Sequence, residues 1–253
     1  MKVTTIIAAI SVWLAPTVPE TYIVHQTNVA IGIDGIIDDA AWQDAPWTSD
    51  FVDIEGVARP APQLRTRAKL LWDDDYLYIA AELEEPHVWA TLTERDAVIF
   101  HDNDFEVFID PDGDTFNYYE LEINALGTVW DLFLTKPYRA GGVPLNAWDI
   151  RGLKSAVHID GTLNDPTDRD RGWTVELALP WTVLREAAPE RRGPKVGETW
   201  RLNFSRVQWE TNVVAGSYVK LEQPEHNWVW SPQGEINMHI PERWGFLRFA
   251  PPK

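Results

Sequence analysis

The stretch DFEVFIDPDGD, residues 104–114, is followed closely by YYELEIN, residues 118–124. In both segments polar and apolar residues alternate, which is typical of β-strands that bury one face. The Asp112-Gly113 pair between them is a strong turn signal. We therefore predict an antiparallel hairpin. Its apolar face is formed by Phe105, Val107, Ile109, Tyr119, Leu121 and Ile123.

The opposite face of this hairpin is rich in carboxylates. It is formed by Asp104, Glu106, Phe108, Asp110, Glu120, Glu122 and Asn124. Three interpretations stay open: acceptors for the hydroxyl groups of a sugar, a solvated sheet face, or the paired acids of a glycosidase.

Seven further segments alternate in the same way and are separated by turn residues. They are residues 65–72, 76–83, 128–134, 157–161, 173–179, 200–208 and 245–249. Only two short helices are expected, at residues 38–44 and 180–188, the second ended by Pro189. Many short strands with few helices predict an all-β protein, an antiparallel β-sandwich of the jelly-roll type.

Composition excludes several classes of function. The 253 residues include 39 acidic and 22 basic side chains, so the formal charge is −17. Such a surface repels phosphate backbones and anionic lipids, so we expect neither nucleic acid nor a membrane surface as partner. There is no cysteine, which excludes disulfides and thiolate metal sites. The 14 tryptophans exceed what a core of this size needs, and we expect some of them to contact a ligand.

Residues 1–19 begin with Met1-Lys2 and continue as a mostly apolar stretch to Pro16. This pattern is typical of a secretory signal, and the alternative is an apolar terminus docked on the protein. We expect a secreted or periplasmic protein, with the cytoplasm as the alternative. Residues 20–253 contain no linker or repeat, so we predict one domain there.

Asp110, Asp112 and Asp114 offer carboxylate oxygens at alternate positions of the predicted turn. Calcium is bound by six to eight such oxygens, so the segment is either a plain hairpin turn or a turn that also holds calcium.

The segment NWVWSPQG, residues 227–234, places Trp228 and Trp230 on the same face of an extended chain beside a loop. Flat aromatic faces suit sugar rings, whereas the alternative is packing over the edge of the core. Arg139 lies in the predicted loop 137–142 and is a further candidate for contact with a sugar.

Several short motifs follow one another along the chain in an order that is similar to that of a known protein family. They are Ile33-Asp34-Gly35, Ala41-Trp42 and residues 72–78, 102–111, 118–124, 172–181, 197–204 and 228–234. Together they resemble family 9 carbohydrate-binding modules, which are appended to xylanases, and most closely the stand-alone proteins of that type.

The resemblance implies a β-sandwich that binds a sugar between two aromatic side chains and can hold structural calcium. The aromatic positions correspond to Phe100 and to Trp230 or Trp228, and the acid of the central strand corresponds to Glu106. A family arginine falls near Glu122 in this chain. Glu122 and Asn124 would hydrogen-bond the sugar.

The main hypothesis is therefore non-catalytic binding of mono- or oligosaccharides, such as fragments of xylan or cellulose, in support of a separate hydrolase. One alternative is a glycoside hydrolase that acts through Glu106 and Glu122. The other is a b-haem electron-transfer domain with axial ligands from Met238, His239, His101 or lysine, although we expect no haem.

Overall fold

The computed structural model describes residues 18–253, so the predicted apolar segment 1–19 lies outside the described residues except for its last two positions. The strands are β1 (Thr21–Gln26), β2 (Val52–Asp53), β3 (Thr66–Trp72), β4 (Tyr76–Glu84), β5 (Asp104–Asp110), β6 (Tyr118–Asn124), β7 (Val129–Leu134), β8 (Pro144–Leu145), β9 (Lys154–Asp160), β10 (Gly172–Pro180), β11 (Thr199–Gln208), β12 (Thr211–Val214), β13 (Ser217–Lys220), β14 (His226–Val229) and β15 (Gly245–Ala250). The two α-helices are α1 (Ala40–Gln43) and α2 (Trp181–Leu184).

Thirteen of the strands form one curled sheet with the order β8-β7-β6-β5-β11-β15-β1-β3-β4-β10-β9. Strand β14 pairs with β11 and β2, and β12 and β13 form a separate hairpin. Side chains of β4 and β10 share one apolar cluster with side chains of β5 and β6, so the two ends of the sheet face each other across the core. The predicted all-β sandwich is confirmed, with β1 pairing in parallel with β15 and β3.

The hairpin predicted from residues 104–124 is confirmed as β5 and β6. Glu106 lies directly opposite Glu122, and Phe105 opposite Ile123. The apolar face of the hairpin lies in the main core, as the alternation predicts. The carboxylate face is also buried, because a second apolar cluster that includes Phe108, Trp130 and partly buried Phe100 packs there.

The predictions miss or overextend some elements. Strands β1, β2, β8, β12, β13 and β14 were not expected, and both helices are shorter than predicted. The sequences of these six strands lack a long alternating pattern. Pairing with a neighbouring strand determines their conformation. Among residues 18–253 no helix is both long and apolar enough to cross a membrane.

Candidate functional site

A cleft of about 710 Å³ opens where the ends of β4, β11 and β14 meet the loop that follows β2. Its walls are residues 53–55, 59–64, 85–87, 208–211 and 225–228, with Trp89 and Ile236. This volume lies in the range of pockets that bind small organic ligands. The cleft combines aromatic rings, carboxylates, amides and imidazoles, which is the chemistry required by a polar ligand with some flat apolar faces.

A buried hydrogen-bond network forms the floor of the cleft. Glu85 Oε2 accepts hydrogen bonds from Arg206 Nη2 at 3.1 Å and from Gln208 Nε2 at 2.8 Å. Asn103 Nδ2 donates to the same oxygen at 3.2 Å. Arg206 Nη1 also donates to Thr66 Oγ1 at 3.0 Å. Of these groups Glu85 and Gln208 line the cleft, and the hydrogen bonds from the layer beneath hold their side chains in place.

Arg206 is a cation in the protein interior. Burial lowers its pKa to about 10, against the opposing effect of the nearby Glu85 carboxylate. It therefore stays charged at neutral pH. Its guanidinium carbon lies 5.2 Å from the centre of the Trp228 ring, within the distance of a cation–π contact. The contact with Arg206 thus fixes one face of the Trp228 ring.

Three tryptophans line the cleft. Trp228 in β14 is 6% exposed, and Trp89 is also buried. Trp209 follows β11 and is half-buried. The Trp209 indole donates to the Phe100 carbonyl oxygen at 2.8 Å, and Lys220 Nζ lies 3.8 Å from the centre of its ring. Two fixed contacts therefore orient the Trp209 ring at the rim.

Trp89 Nε1 is a buried donor without a hydrogen-bond partner in the described chain. Such groups are rare in proteins because an unpaired buried donor costs free energy. Since Trp89 lines the cleft, a ligand with hydroxyl oxygens would supply an acceptor at this position.

Two histidines stand at the rim of the cleft. His87 Nδ1 lies 3.1 Å from the Tyr218 hydroxyl, which ties the β12–β13 hairpin to the cleft. The His226 ring stacks on Trp228 with centroids 5.8 Å apart. His226 Nε2 lies 3.2 Å from Glu210 Oε1, so each imidazole is held by a polar neighbour at the lining of the cleft.

Of the residues predicted to bind a sugar, Trp228 alone lines this cleft. Trp230 is 2% exposed and packs against Phe204 in the main core. Its ring also lies so close to Gly245 that a Cβ there would approach it to 2.5 Å. In this conformation Trp230 offers no ring face to solvent, and its expected contact with a sugar stays a prediction.

Glu106, Glu122 and Asn124 lie side by side on the hairpin, as predicted, but they are 5%, 1% and 0% exposed. Glu122 Oε2 accepts a hydrogen bond from the Phe100 backbone N–H at 2.9 Å, which places Phe100 over this face. Asn124 Nδ2 donates to Asp102 Oδ2 at 3.0 Å. In this conformation a covering layer separates these acceptors from solvent, and their expected contact with a sugar stays a prediction.

The buried carboxyls of this face have raised pKa values. For Asp104, Glu120 and Glu122 burial is the main cause, and the neighbouring carboxylates add to it. Burial raises the pKa of Glu106 to about 7. These groups therefore resist ionisation unless a positive charge lies near them.

Arg139 lies apart from the cleft and forms an exposed ion pair with Glu242.

The haem alternative depends partly on His239 and Met238 as axial ligands. His239 Nδ1 lies 3.0 Å from the Tyr118 hydroxyl, and burial lowers its pKa to about 4. Met238 is buried in the second apolar cluster.

Asp110, Asp112 and Asp114 bring carboxylate oxygens within 4.8 Å of one another, which suits a hard cation. The same carboxylates also form the turn. Asp110 accepts hydrogen bonds from the N–H groups of Gly113 and Thr115, at 2.9 Å each. Burial raises the pKa of Asp110 to about 7. The donor set fits calcium, and the hydrogen bonds account for the turn by themselves.

The predictions missed most residues of the cleft. They are Glu85, His87, Trp89, Gln208, Trp209 and His226. They come from three separate segments, residues 85–89, 208–209 and 226, and no sequence motif links one segment to another. The excess of tryptophan was the one signal in the sequence that pointed toward Trp89 and Trp209.

Comparison with known proteins shows where the chain belongs. Residues 33–197, more than half of the chain, match the family described as carbohydrate family 9 binding domain-like. Exoglucanase XynX of Acetivibrio thermocellus is 29% identical over 155 residues, covering 60% of this chain and 12% of the enzyme. Endo-1,4-beta-xylanase A of Thermoanaerobacterium saccharolyticum is 26% identical over 152 residues, covering 60% of this chain and 11% of the enzyme. The chain thus spans about an eighth of these relatives or less.

Solved structures share the fold. A family 9 carbohydrate-binding module from Caldicellulosiruptor kristjanssonii in complex with cellotriose has a TM-score of 0.59 and 15% identity, covering 92% of this chain and 95% of the module. A module of the same family and organism was solved with glucose. A protein from Bacteroides uniformis has a TM-score of 0.67 and 18% identity, covering 91% of this chain and 99% of that one.

Proposed function

Since this chain belongs to the carbohydrate family 9 binding domain-like family, we propose that it binds carbohydrate and does not catalyse a reaction on it. The observation that carries the proposal is the cleft at the ends of β4, β11 and β14. Three indole side chains and a fixed network of polar atoms meet there. A sugar ring needs this combination, because its C–H faces pack on aromatic surfaces while its hydroxyls form hydrogen bonds.

Each part of the cleft has a role in this proposal. A pyranose packs on the face of the Trp209 ring that Lys220 does not cover, and Trp228 forms an apolar wall of the cleft. The unpaired Trp89 indole N–H donates to a sugar hydroxyl. Gln208, held by Glu85 and Arg206, is a polar group of the same cleft lining. The proposed site thus lies beside Phe100 rather than between Phe100 and Trp230.

The relatives support a choice of sugar class. The Caldicellulosiruptor modules bind cellotriose and glucose, and the enzyme relatives carry the names of an exoglucanase and a xylanase. We propose short β-1,4-linked glucose or xylose oligosaccharides as ligands here. The volume of about 710 Å³ accommodates more than one sugar ring.

Calorimetric titration of the full chain with cellotriose, glucose and xylobiose tests the proposal. Trp209→Ala should weaken binding about tenfold or more, which corresponds to about 1.4 kcal/mol. Trp209→Phe keeps a ring at the rim and should retain most of the affinity. Saturable binding to none of the three sugars would overturn the proposed function.

Trp47→Ala is the matched control. Trp47 is also half-buried with cations over its ring, Arg67 at 4.1 Å and Lys69 at 4.3 Å, but it does not line the cleft. Its loss should leave sugar affinity unchanged within a factor of two. Equal losses in Trp47→Ala and Trp209→Ala would indicate a general effect on the fold and contradict the assignment of the cleft.

Export and a structural ion complete the proposal. The basic residue followed by an apolar run in residues 1–19 supports export ahead of polysaccharide binding, in support of a separate hydrolase. Sequencing the N-terminus of the mature protein tests export.

Calcium bound by Asp110, Asp112 and Asp114 would stabilise the β5–β6 turn. Calcium should then raise the Tm of the wild type, and this rise should be lost in Asp112→Asn.

A further inference from the structure

The lining of the cleft carries an excess of negative charge. Its charged side chains are Arg59 and the five acids Asp53, Glu55, Glu85, Glu210 and Glu225. Two further cations lie close by, since Arg206 is beneath Glu85 and Lys220 lies over the ring of Trp209. Five acids therefore face three lysine or arginine side chains.

Three of the five acids have a partner that offsets their charge. Glu85 pairs with Arg206 at 3.1 Å, and Glu55 pairs with Arg59. Glu210 is hydrogen-bonded to an imidazole that also lines the cleft. The excess of charge therefore belongs to the other two acids.

These two acids are Asp53 and Glu225, and neither takes part in an ion pair within the described residues. Asp53 Oδ1 accepts the backbone N–H of Glu55 at 2.9 Å, which orients the carboxylate but brings no full positive charge. Both side chains are half-buried. Their charges are therefore screened by salt less than those of fully exposed groups.

Lys220 does not neutralise Glu225. Burial lowers the pKa of the Lys220 ammonium, and the carboxylates of Asp102 and Glu225 oppose this effect. The ammonium donates a hydrogen bond to the His101 carbonyl oxygen at 2.5 Å instead of forming an ion pair with Glu225. Glu225 thus keeps its charge without a direct partner.

Both acids lie beside the aromatic wall of the cleft. Asp53 is directly opposite Trp228 in the β2–β14 pair, so the two side chains leave the sheet on the same side. Glu225 immediately precedes His226, whose ring stacks on Trp228. A hydroxyl group of a sugar can donate a hydrogen bond to either carboxylate, whereas an ionised carboxyl group on a sugar has no proton to donate and is repelled.

We propose that Asp53 and Glu225 restrict the cleft to uncharged stretches of β-1,4-linked glycan and exclude sugars that carry a uronic acid. This inference rests on the proposed function of the cleft and adds the charge of the ligand to it. Glucose and xylose units offer only hydroxyl groups to the two carboxylates. A glucuronic acid side group brings a further negative charge to a half-buried place where the described lining has no unpaired lysine or arginine.

Calorimetric titration of the full chain with a matched pair of ligands tests this proposal. The acid ligand is xylotriose that carries one glucuronic acid, and the second ligand is the methyl ester of the same compound, which differs in charge and little in size. The ester should bind about tenfold more tightly than the acid at low salt. In about 1 M NaCl this ratio should fall to about threefold or less, because the screening length shortens to about 3 Å. Unsubstituted xylotriose measures sugar binding itself.

Two double variants assign the effect to residues. In Asp53→Asn/Glu225→Gln the ratio of the two affinities should fall to about threefold or less at low salt. Because both ligands are compared on the same protein, a general loss of affinity cancels in this ratio. Asp160→Asn/Glu190→Gln is the control, since it removes the same formal charge from side chains that are 60% and 73% exposed and lie outside the cleft. It should keep the tenfold ratio.

Equal affinities of the wild type for the acid and its ester, whether both bind or neither binds, would overturn the proposal. A tenfold ratio that persists in Asp53→Asn/Glu225→Gln would also overturn it, because the selection would then come from other groups. If xylotriose itself did not bind, the proposed function of the cleft would fail. Binding of xylotriose together with equal affinities for the acid and the ester would refute the charge selection alone.

Discussion

The buried ion pair beneath the cleft makes the most direct prediction about stability. The side chains of Arg206 and Glu85 are 1% and 4% exposed and lie 3.1 Å apart. In Glu85→Ala the guanidinium keeps its charge but loses its only ion-pair partner in the described chain. Gln208 and Asn103 lose the same acceptor.

The expected cost follows from this geometry. Removing one partner of a buried ion pair destabilises a protein by about 3–5 kcal/mol, because the other charge stays buried without compensation. For a chain of this size that corresponds to a fall in Tm of about 10 °C. Replacing both partners, as in Glu85→Leu/Arg206→Met, leaves no buried charge and should cost less than Glu85→Ala alone.

Urea unfolding at pH 7 measures these differences. Asp160→Ala is the control, because its ion pair with Arg171 is 3.4 Å long and its side chains are 84% and 60% exposed. Exposed pairs contribute about 0–1 kcal/mol. If Glu85→Ala cost no more than Asp160→Ala, the idea that the cleft floor is held by a buried charge network would be refuted.

Three further predictions concern stability. With a chelator present, the free energy of unfolding should fall as the pH rises from 5 to 8, because the pKa of Glu106 is about 7 in the folded protein and 4.5 in the unfolded chain. Ionisation of this group alone lowers the free energy of unfolding by about 3 kcal/mol, which calorimetry measures. Trp42→Phe removes a 2.7 Å buried hydrogen bond to Glu176 and should cost about 1–3 kcal/mol in urea unfolding. Gly35→Ala should cost about 2 kcal/mol or more in the same assay, because φ is +90° and a Cβ would lie 2.7 Å from His158 N. A rise in stability with pH, or unchanged unfolding midpoints, would contradict these predictions.

The central hairpin was predictable because its information is local. Alternation in residues 104–110 and 118–124 assigns each side chain to a face, and Asp112-Gly113 marks the turn between the strands. The observed register, with Glu106 opposite Glu122, needs no other part of the chain. The same holds for β3, β4 and β10, whose predicted bounds differ from the observed ones by one or two residues.

The environment of each face was not predictable in this way. A period of two identifies which side chains share a face but not what packs against that face. The carboxylates of β5 and β6 are buried because a second apolar cluster with Phe108 and Trp130 covers their side of the sheet. Likewise Trp230 follows β14 and enters the core beside Gly245, which the spacing from Trp228 does not reveal.

The cleft depends on contacts between distant segments. Glu85 and Gln208 are 123 positions apart in the chain and share a hydrogen bond. Such pairs follow from the order of the strands in the sheet, in which β4 and β11 belong to different halves. Of the residues that line the cleft, only Asn227 and Trp228 belong to a motif that the sequence marks as a candidate site.

The indole N–H signals of the tryptophans test the central claim most directly. In a ¹⁵N-labelled sample with assigned indole resonances, addition of cellotriose should shift the signals of Trp89, Trp209 and Trp228. The signals of the core residues Trp42 and Trp230 should stay in place. Shifts confined to Trp130, which lies on the carboxylate face of the hairpin, would place the sugar there and contradict the assignment of the cleft.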